Sequence, residues 1–291
     1  MRTNDRMSPV RVRFHPVLLG IFCTLLAICP AMAQEITSGS TWFPEGRGFT
    51  PFAANHEEPR MGIAQEVGNS RMKVAIGNAL DIYQYRSGTD TFRVAALFFA
   101  YALANDHRGY RLKIDAADGY FGIGFTLQTA SPWSFRFRAL HLSAHMVDGH
   151  YNDELVMWRD GRDPFPFSRN YGEVVAAYLA PMGAWVFRPY AGFSYAPIVK
   201  PVVIRKWTML AGAEVHGTGS THVYGAYHFT LMGTPEVIGS NTIEIGVKFG
   251  RWNARGARLF LSYQNGWDNF GEYYNVRREA VAGGFAFDFG D

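Results

Sequence analysis

The stretch Ala139-Leu140-His141-Leu142-Ser143-Ala144-His145-Met146-Val147-Asp148-Gly149-His150-Tyr151-Asn152-Asp153-Glu154 decides the fold. Side chains of an extended strand change face at every residue. Leu140, Leu142, Ala144 and Met146 therefore share one face, and His141, Ser143 and His145 share the other. A polar loop with Asp148, Asp153 and Glu154 follows at once. An apolar face backed by a titratable one, running into a polar loop, is the pattern of a membrane barrel strand entering a surface loop.

The alternation recurs along the chain. Phe121, Ile123, Phe125 and Leu127 oppose Gly122, Gly124, Thr126 and Gln128, and Trp185, Phe187 and Phe193 oppose Arg188, Tyr190 and Ser194. Met209 and Val215 oppose Glu214 and His216, Val223 and Tyr227 oppose His222 and His228, and Ile243, Ile245 and Val247 oppose Glu244 and Lys248. Leu259 and Leu261 oppose Arg258, and Phe285, Phe287 and Phe289 oppose Ala286 and Asp288. Aromatic and aliphatic residues on one face with charges on the other imply lipid outside and a polar, packed lumen inside. Phe92 to Leu103 is apolar on both faces, as befits a strand whose inner face is packed. Near the opening stretch the phase is inconsistent, because Phe135 and Phe137 share a face with His141 while Arg136 and Arg138 share one with Leu140. Either a β-bulge near Arg138 flips the register, or the aromatic pair fills the lower lumen and the arginines snorkel.

These segments predict an all-β, transmembrane, antiparallel up-and-down barrel of about 12 strands (roughly 10 to 14) with both ends periplasmic. Residues 105–109, 129–132, 181–183, 217–219 and 251–256 are assigned as short periplasmic turns, and 147–171, 196–206 and 265–276 as long outer loops. Trp133, Trp185, Trp207, Tyr263 and Trp267 lie near strand ends and are assigned as interface anchors. A soluble exported β-sandwich or lipocalin-like ligand carrier shares the same period and stands as the competing architecture.

Residues 1–33 form an address. Arg2, Arg6, Arg11 and Arg13 precede an apolar run from Val17 to Ile28, and Ala31-Met32-Ala33 is a small-x-small cleavage site. Removal is expected, leaving a non-alternating N-terminal segment, 34–71, with Pro44, Pro51 and Pro59, ahead of a barrel over 72–291. The segment is expected along the periplasmic side or in the barrel mouth. Both cysteines, Cys23 and Cys29, leave with the leader, so the mature chain has no disulfide, thiolate ligand or cysteine nucleophile. The leader also carries four Arg against one Asp, which takes the 28 basic and 25 acidic residues to 24 of each. A neutral mature chain gives no argument for nucleic acid. The expected partners are outer-membrane lipids, lipopolysaccharide and the barrel assembly machinery, with export to the outer membrane and no cofactor.

Phe49-Thr50-Pro51-Phe52-Ala53-Ala54 with Glu58-Pro59-Arg60, then His141-Leu142-Ser143-Ala144-His145, Phe167-Ser168-Arg169-Asn170-Tyr171 and Asn269-Phe270-Gly271-Glu272-Tyr273-Tyr274, together resemble domain of unknown function 1207. That family is one of exported outer-membrane barrels without an assigned activity, so the resemblance implies the fold and no chemistry. The chain departs from it in a longer loop between His145 and Asp153-Glu154, at Ala144 in place of a serine, and in ending Phe289-Gly290-Asp291. More locally, His141-Leu142-Ser143 with a downstream carboxylate is similar to the His-x-Ser and Glu of lipid A deacylase barrels. That similarity implies His141 as base, Ser143 as nucleophile and Glu154 as orienting acid, with Asp153 or Asp148 as substitutes.

The remaining polar candidates, His145, Arg188, Glu214, His216, His222, His228, Glu244 and Lys248, are assigned to a lumenal cluster of hydrogen bonds and ion pairs, and no metal is assigned. His222 and His228 lie six residues apart, about 20 Å along a strand, too far to share one ion. The functional expectation is an outer-membrane barrel with a packed lumen and a structural, ligand-binding or transport role. The alternative is a serine-type lipid A or lipid ester hydrolase using His141 and Ser143.

Overall fold

The structure, a computed structural model, describes residues 38–107, 111–234 and 236–289. The expected signal peptide, 1–33, lies outside the described residues, as do the last two of the chain. Twelve strands, numbered here in chain order, close on themselves: β1 Met61–Glu66, β2 Arg71–Ser87, β3 Asp90–His107, β4 Arg111–Gln128, β5 Trp133–Met146, β6 Phe167–Tyr178, β7 Trp185–Lys200, β8 Trp207–Gly217, β9 Thr221–Thr234, β10 Glu236–Gly250, β11 Gly256–Trp267 and β12 Arg277–Asp288. Each pairs antiparallel with its neighbours in sequence, and β12 returns to β1 with Ala282 opposite Glu66 and Phe287 opposite Met61. Closure leaves every strand a partner on both sides, which is what a chain without water around it requires. A short strand, Ser38–Trp42, pairs antiparallel with the far end of β2, at Tyr83–Ser87.

The predicted number of strands holds, but its membership changes. Arg111–Gln128 is one strand of 18 residues, and the alternation read from Phe121 to Leu127 breaks off before its first half. The apparent break is a register shift in the β3–β4 ladder between Leu103 and Ala104, which leaves Asp115 and Ala116 both buried. The twelfth strand is instead Met61–Glu66, so the barrel begins 11 residues earlier than expected. Consequently His107 and Arg111, the strand ends flanking the first expected short turn, stand at the end that carries the long loops, 147–166, 201–206 and 268–276.

Large apolar side chains cover the outside, among them Phe98, Phe121, Val174, Phe193, Ile245 and Leu259. Arg136, Arg138, Glu173, Arg188, Glu214, Glu244, Lys248, Arg258 and Asp288 are buried inside. That is the inverse of a water-soluble barrel or sandwich, and it excludes the soluble carrier. The inside is divided. Part of β3 to β6 lines it with an apolar cluster, Leu97, Phe99, Tyr101, Tyr120, Leu140, Leu142, Phe167 and Tyr171, in which the Phe99 and Tyr120 rings stack 4.6 Å apart. The packed inner face expected of the Phe92–Leu103 segment belongs to this cluster.

Much of the rest of the lumen is occupied by the chain's own N-terminal segment. Phe52, Ala53, Ala54, Asn55 and Glu58 are almost fully buried. The Phe52 ring stacks on Tyr190 with centroids 3.5 Å apart. The Arg136 guanidinium lies over Phe49 at 4.4 Å, and that of Arg188 over Phe52 at 4.6 Å. The Glu58 carboxylate takes two bonds from Arg136, at 2.5 and 2.8 Å, in the bidentate geometry that suits a guanidinium. Arg138 is forked onto Glu173, with two bonds of 2.8 Å, and donates a third, of 2.9 Å, to the Glu57 carbonyl. Ala53 N–H donates to Glu214 at 2.5 Å, and Glu214 also holds Arg188 at 3.1 Å. Arg60 reaches Glu244 at 2.9 Å. The segment is therefore a plug within the barrel, where the sequence suggested only its rim.

Glu58→Ala leaves Arg136 buried without its bidentate partner, a loss of about 3–5 kcal/mol. Urea unfolding of the vesicle-inserted protein, followed by tryptophan fluorescence, is expected to show that loss.

Candidate active site

The phase of β5 settles which face of the opening stretch looks outward. Its ladders to β4 and β6 run without a register shift, so there is no bulge at Arg138. Ser134, Arg136, Arg138, Leu140, Leu142, Ala144 and Met146 are all buried in the lumen. Phe135, His141, Ser143 and His145 are on the outer face, with His145 exposed and Ser143 and His141 half-buried. Arg136 and Arg138 point inward because Glu58 and Glu173 wait there, and Leu140 to Met146 follow because the lumen at their level is apolar. Neither snorkelling arginines nor a lower-lumen aromatic pair survives, and His145 leaves the lumenal cluster.

On that outer face the Ser143 hydroxyl lies 2.7 Å from His145 Nε2. Two residues back along the strand, His141 Nδ1 is hydrogen-bonded to Asn170 Oδ1 of β6. Backbone register explains the second contact, since His141 stands directly opposite Asn170 and Ser143 opposite Ser168. On the other side Phe121 packs against the His141 ring, centroids 4.7 Å apart, and Gly119 faces Ser143. A Cβ at Gly119 would touch only the Ser143 carbonyl oxygen, at 3.9 Å, so open space adjoins the hydroxyl. The arrangement is a hydroxyl flanked by two imidazoles, one held by an amide oxygen, beside a gap in an apolar wall. The hydroxyl is thus in contact with one imidazole, His145, while the amide oxygen orients the other, His141.

The carboxylates expected to orient His141 are elsewhere. Asp148 begins a short 3-10 turn and is exposed, and Asp153 and Glu154 lie at an exposed turn where the Glu154 N–H donates to Asn152 Oδ1 at 3.0 Å. Asn170 was missed because 147–171 was taken as loop. The strand in fact begins at Phe167, and the signal was present in Phe167, Arg169 and Tyr171 alternating with Ser168 and Asn170. The site is buttressed from inside by the last loop: Glu272 accepts from Met146 N–H at 3.1 Å, and Gly271 packs so closely on Ala144 and Phe167 that a Cβ would come within 2.6 Å of either. Burial raises the Glu272 carboxyl above its ordinary range, and the amides of Met146 and Phe165 draw it back down.

The other polar candidates are lumenal. Arg188 pairs with Glu214, whereas Lys248 pairs with Asp288 at 2.7 Å rather than with Glu244, which Arg60 and the Tyr224 hydroxyl satisfy. His216 stacks on Trp252 at 4.1 Å, His222 bonds the carbonyls of Gly217 and Gly250, and His228 bonds Tyr190 and Thr230. Among the described residues no group of three or more His, Cys, Asp or Glu is arranged around a possible metal ion. Trp133 and Trp185 are exposed near strand ends. Trp267, assigned as an anchor, points inward instead, because Gly266 at φ 148° breaks the alternation.

No protein-family model matches the chain, so the resemblance to domain of unknown function 1207 rests on the quoted residues alone; no curated protein matches either. Among solved structures the chain is similar to the beta domain of the Bordetella autotransporter BrkA, with 11% identity over 78% of this chain and 97% of that one and a TM-score of 0.46. It is similar to outer membrane phospholipase A from Escherichia coli, with 10% identity over 82% and 93% and a TM-score of 0.46. For OmpT of Vibrio cholerae the figures are 10%, 78%, 93% and 0.37. Such values carry no argument about activity.

Diethyl pyrocarbonate is expected to modify His145 in the folded, detergent-solubilised protein and to reach His222 and His228 only after denaturation, as read by peptide mass spectrometry. Protection of His145 equal to that of His222 would contradict the outward phase of β5.

Proposed function

We propose that this chain is an outer-membrane barrel that hydrolyses lipid esters at its outer wall, with Ser143 as nucleophile and His141 as general base. The observation that carries the reading is the outward cluster itself: Ser143 Oγ in hydrogen-bond contact with an imidazole, and His141 Nδ1 held by Asn170 beside it. A lumen filled by the chain's own plug argues against transport, while apolar outer walls supply acyl chains directly to the cluster.

His141 is preferred to His145 as base because its far nitrogen is held, which fixes tautomer and ring plane. With Nδ1 engaged, Nε2 is left for the serine proton. A rotation of Ser143 about χ1 carries its hydroxyl from His145 toward His141, two residues away on the same face. Asn170 is a positioning residue, and it takes the part that the sequence assigned to Glu154. The mechanism is then attack of Ser143 Oγ on the ester carbonyl, transfer of the serine proton to His141 and on to the leaving alcohol, and hydrolysis of the acyl-enzyme by water that His141 deprotonates.

Height along the barrel supports the substrate class. Ser143 lies three residues from the end of β5 at Met146, on the side of the long loops. With the long loops outward, as is usual for outer-membrane barrels, that level is where glycerophospholipid or lipid A esters meet the headgroup region.

Release of fatty acid from mixed detergent–lipid micelles is expected to fall by about 10³-fold or more in Ser143→Ala and in His141→Ala, as for loss of a member of a catalytic triad. Asn170→Ala is expected to lower kcat less and to leave KM nearly unchanged. Gly119→Val, which fills the space beside Ser143, is expected to raise KM. Equal fatty-acid release by wild type and Ser143→Ala would remove the hydrolase reading and leave a plugged structural or binding barrel.

A further inference from the structure

We infer that the lumen holds a second site, separate from the Ser143 cluster, which binds a small organic monoanion, a carboxylate with a short apolar tail, on Lys73. A cavity of ≈110 Å³ lies between the plug, β1, β2 and the loop after β11. Four cations line it, Arg60, Arg71, Lys73 and Arg278, against three carboxylates, Glu66, Glu244 and Asp268. The three arginines are paired. Arg60 binds Glu244 at 2.9 Å, Arg71 binds Asp268 at 2.6 Å, and Arg278 binds Glu66.

Lys73 is different. Its ammonium sits 3.8 Å from the centroid of the Tyr101 ring, and among the described residues no hydrogen bond or ion pair reaches it. Asp118, in an adjoining cavity of ≈40 Å³, gives one oxygen to the Gly271 amide at 2.9 Å and makes no ion pair with Lys73. Lys73 is half-buried, and a ring face offers an ammonium less than a carboxylate does. Among the described residues Lys73 is thus the one cation lining the cavity without a protein anion, and it faces space that a ligand can enter.

Charge and walls select the ligand. One unmatched cation suits a monoanion better than a phosphate dianion, whose second charge would find its donors already engaged. Away from Lys73 the walls include Ala64, Ala75, Leu103, Phe260 and Ala282, which favour a short hydrocarbon tail. Cavities of about 150 Å³ admit benzene, so this one takes about four to six non-hydrogen atoms. Butyrate is the matching probe.

The experiment is a saturation-transfer NMR titration of the folded full chain in detergent with butyrate, with 1-butanol, and with inorganic phosphate as competitor. Saturable butyrate binding in the millimolar range is expected, weakened at least tenfold in Lys73→Met and largely restored in Lys73→Arg. Folding of each variant is checked by its heat-dependent shift on a gel. Should Lys73→Met fail to fold, the wild-type arms decide alone: binding of butanol as tight as butyrate, full displacement of butyrate by equimolar phosphate, or no saturable binding would each overturn the proposal. Failure of Ser143→Ala to change lipid hydrolysis would leave this site untouched, and the reverse holds too.

Discussion

The interaction on which the rest depends is the grip of inward arginines on the N-terminal plug. Arg136 and Glu58 form a two-pronged, fully buried pair, with Arg138 and Glu173 beside them. Charges at that depth persist only when fully hydrogen-bonded. The plug meets that condition with a carboxylate, with the carbonyls of Thr50 and Glu57 and with the amide of Ala53. Because Arg136 and Arg138 must face inward to reach these partners, the phase of β5 is fixed. The outward position of His141, Ser143 and His145 is a consequence of that same phase.

The barrel thus separates two chemistries that share one strand. Inside, side chains hold the plug and close the path through the lumen. Outside, where bulky apolar residues dominate, a few polar residues of β5 and β6 gather at one height. A hydroxyl, two imidazoles and an amide stand on an outer face that carries Val174, Phe135 and Ala176 elsewhere along the same two strands. The loop at 268–276 links the two sides, for Glu272 and Gly271 brace from within the strand ends that carry Ser143 and Asn170.

Much of this was legible in the chain. Period-two alternation is a direct consequence of strand geometry, so the outward identities of Phe121, Phe193, Ile245, Leu259 and Phe285 could be read one by one. The inward charges Arg188, Glu214, Glu244, Lys248 and Asp288 could be read from the same alternation. It failed where the backbone departs from it: at the Leu103/Ala104 shift, which hid the first half of β4, and at Gly266, which turned Trp267 inward. It also failed where a strand is too short to show a period, as in Met61–Glu66.

By itself, then, the sequence determined an all-β barrel of about twelve strands with a polar interior and placed a His-x-Ser pair on one strand face, because side-chain periodicity is a local property. The tertiary structure decided which way that face looks, since the phase of β5 depends on Glu58 and Glu173, residues 80 and 37 positions from their guanidinium partners in β5 by the longer of each pair's separations. It also decided that Asn170 rather than Glu154 holds His141, because cross-strand register sets partners that no local pattern encodes. And it decided that Lys73 faces an open space, since a side chain's lack of a partner is known only when every surrounding chain segment is in place.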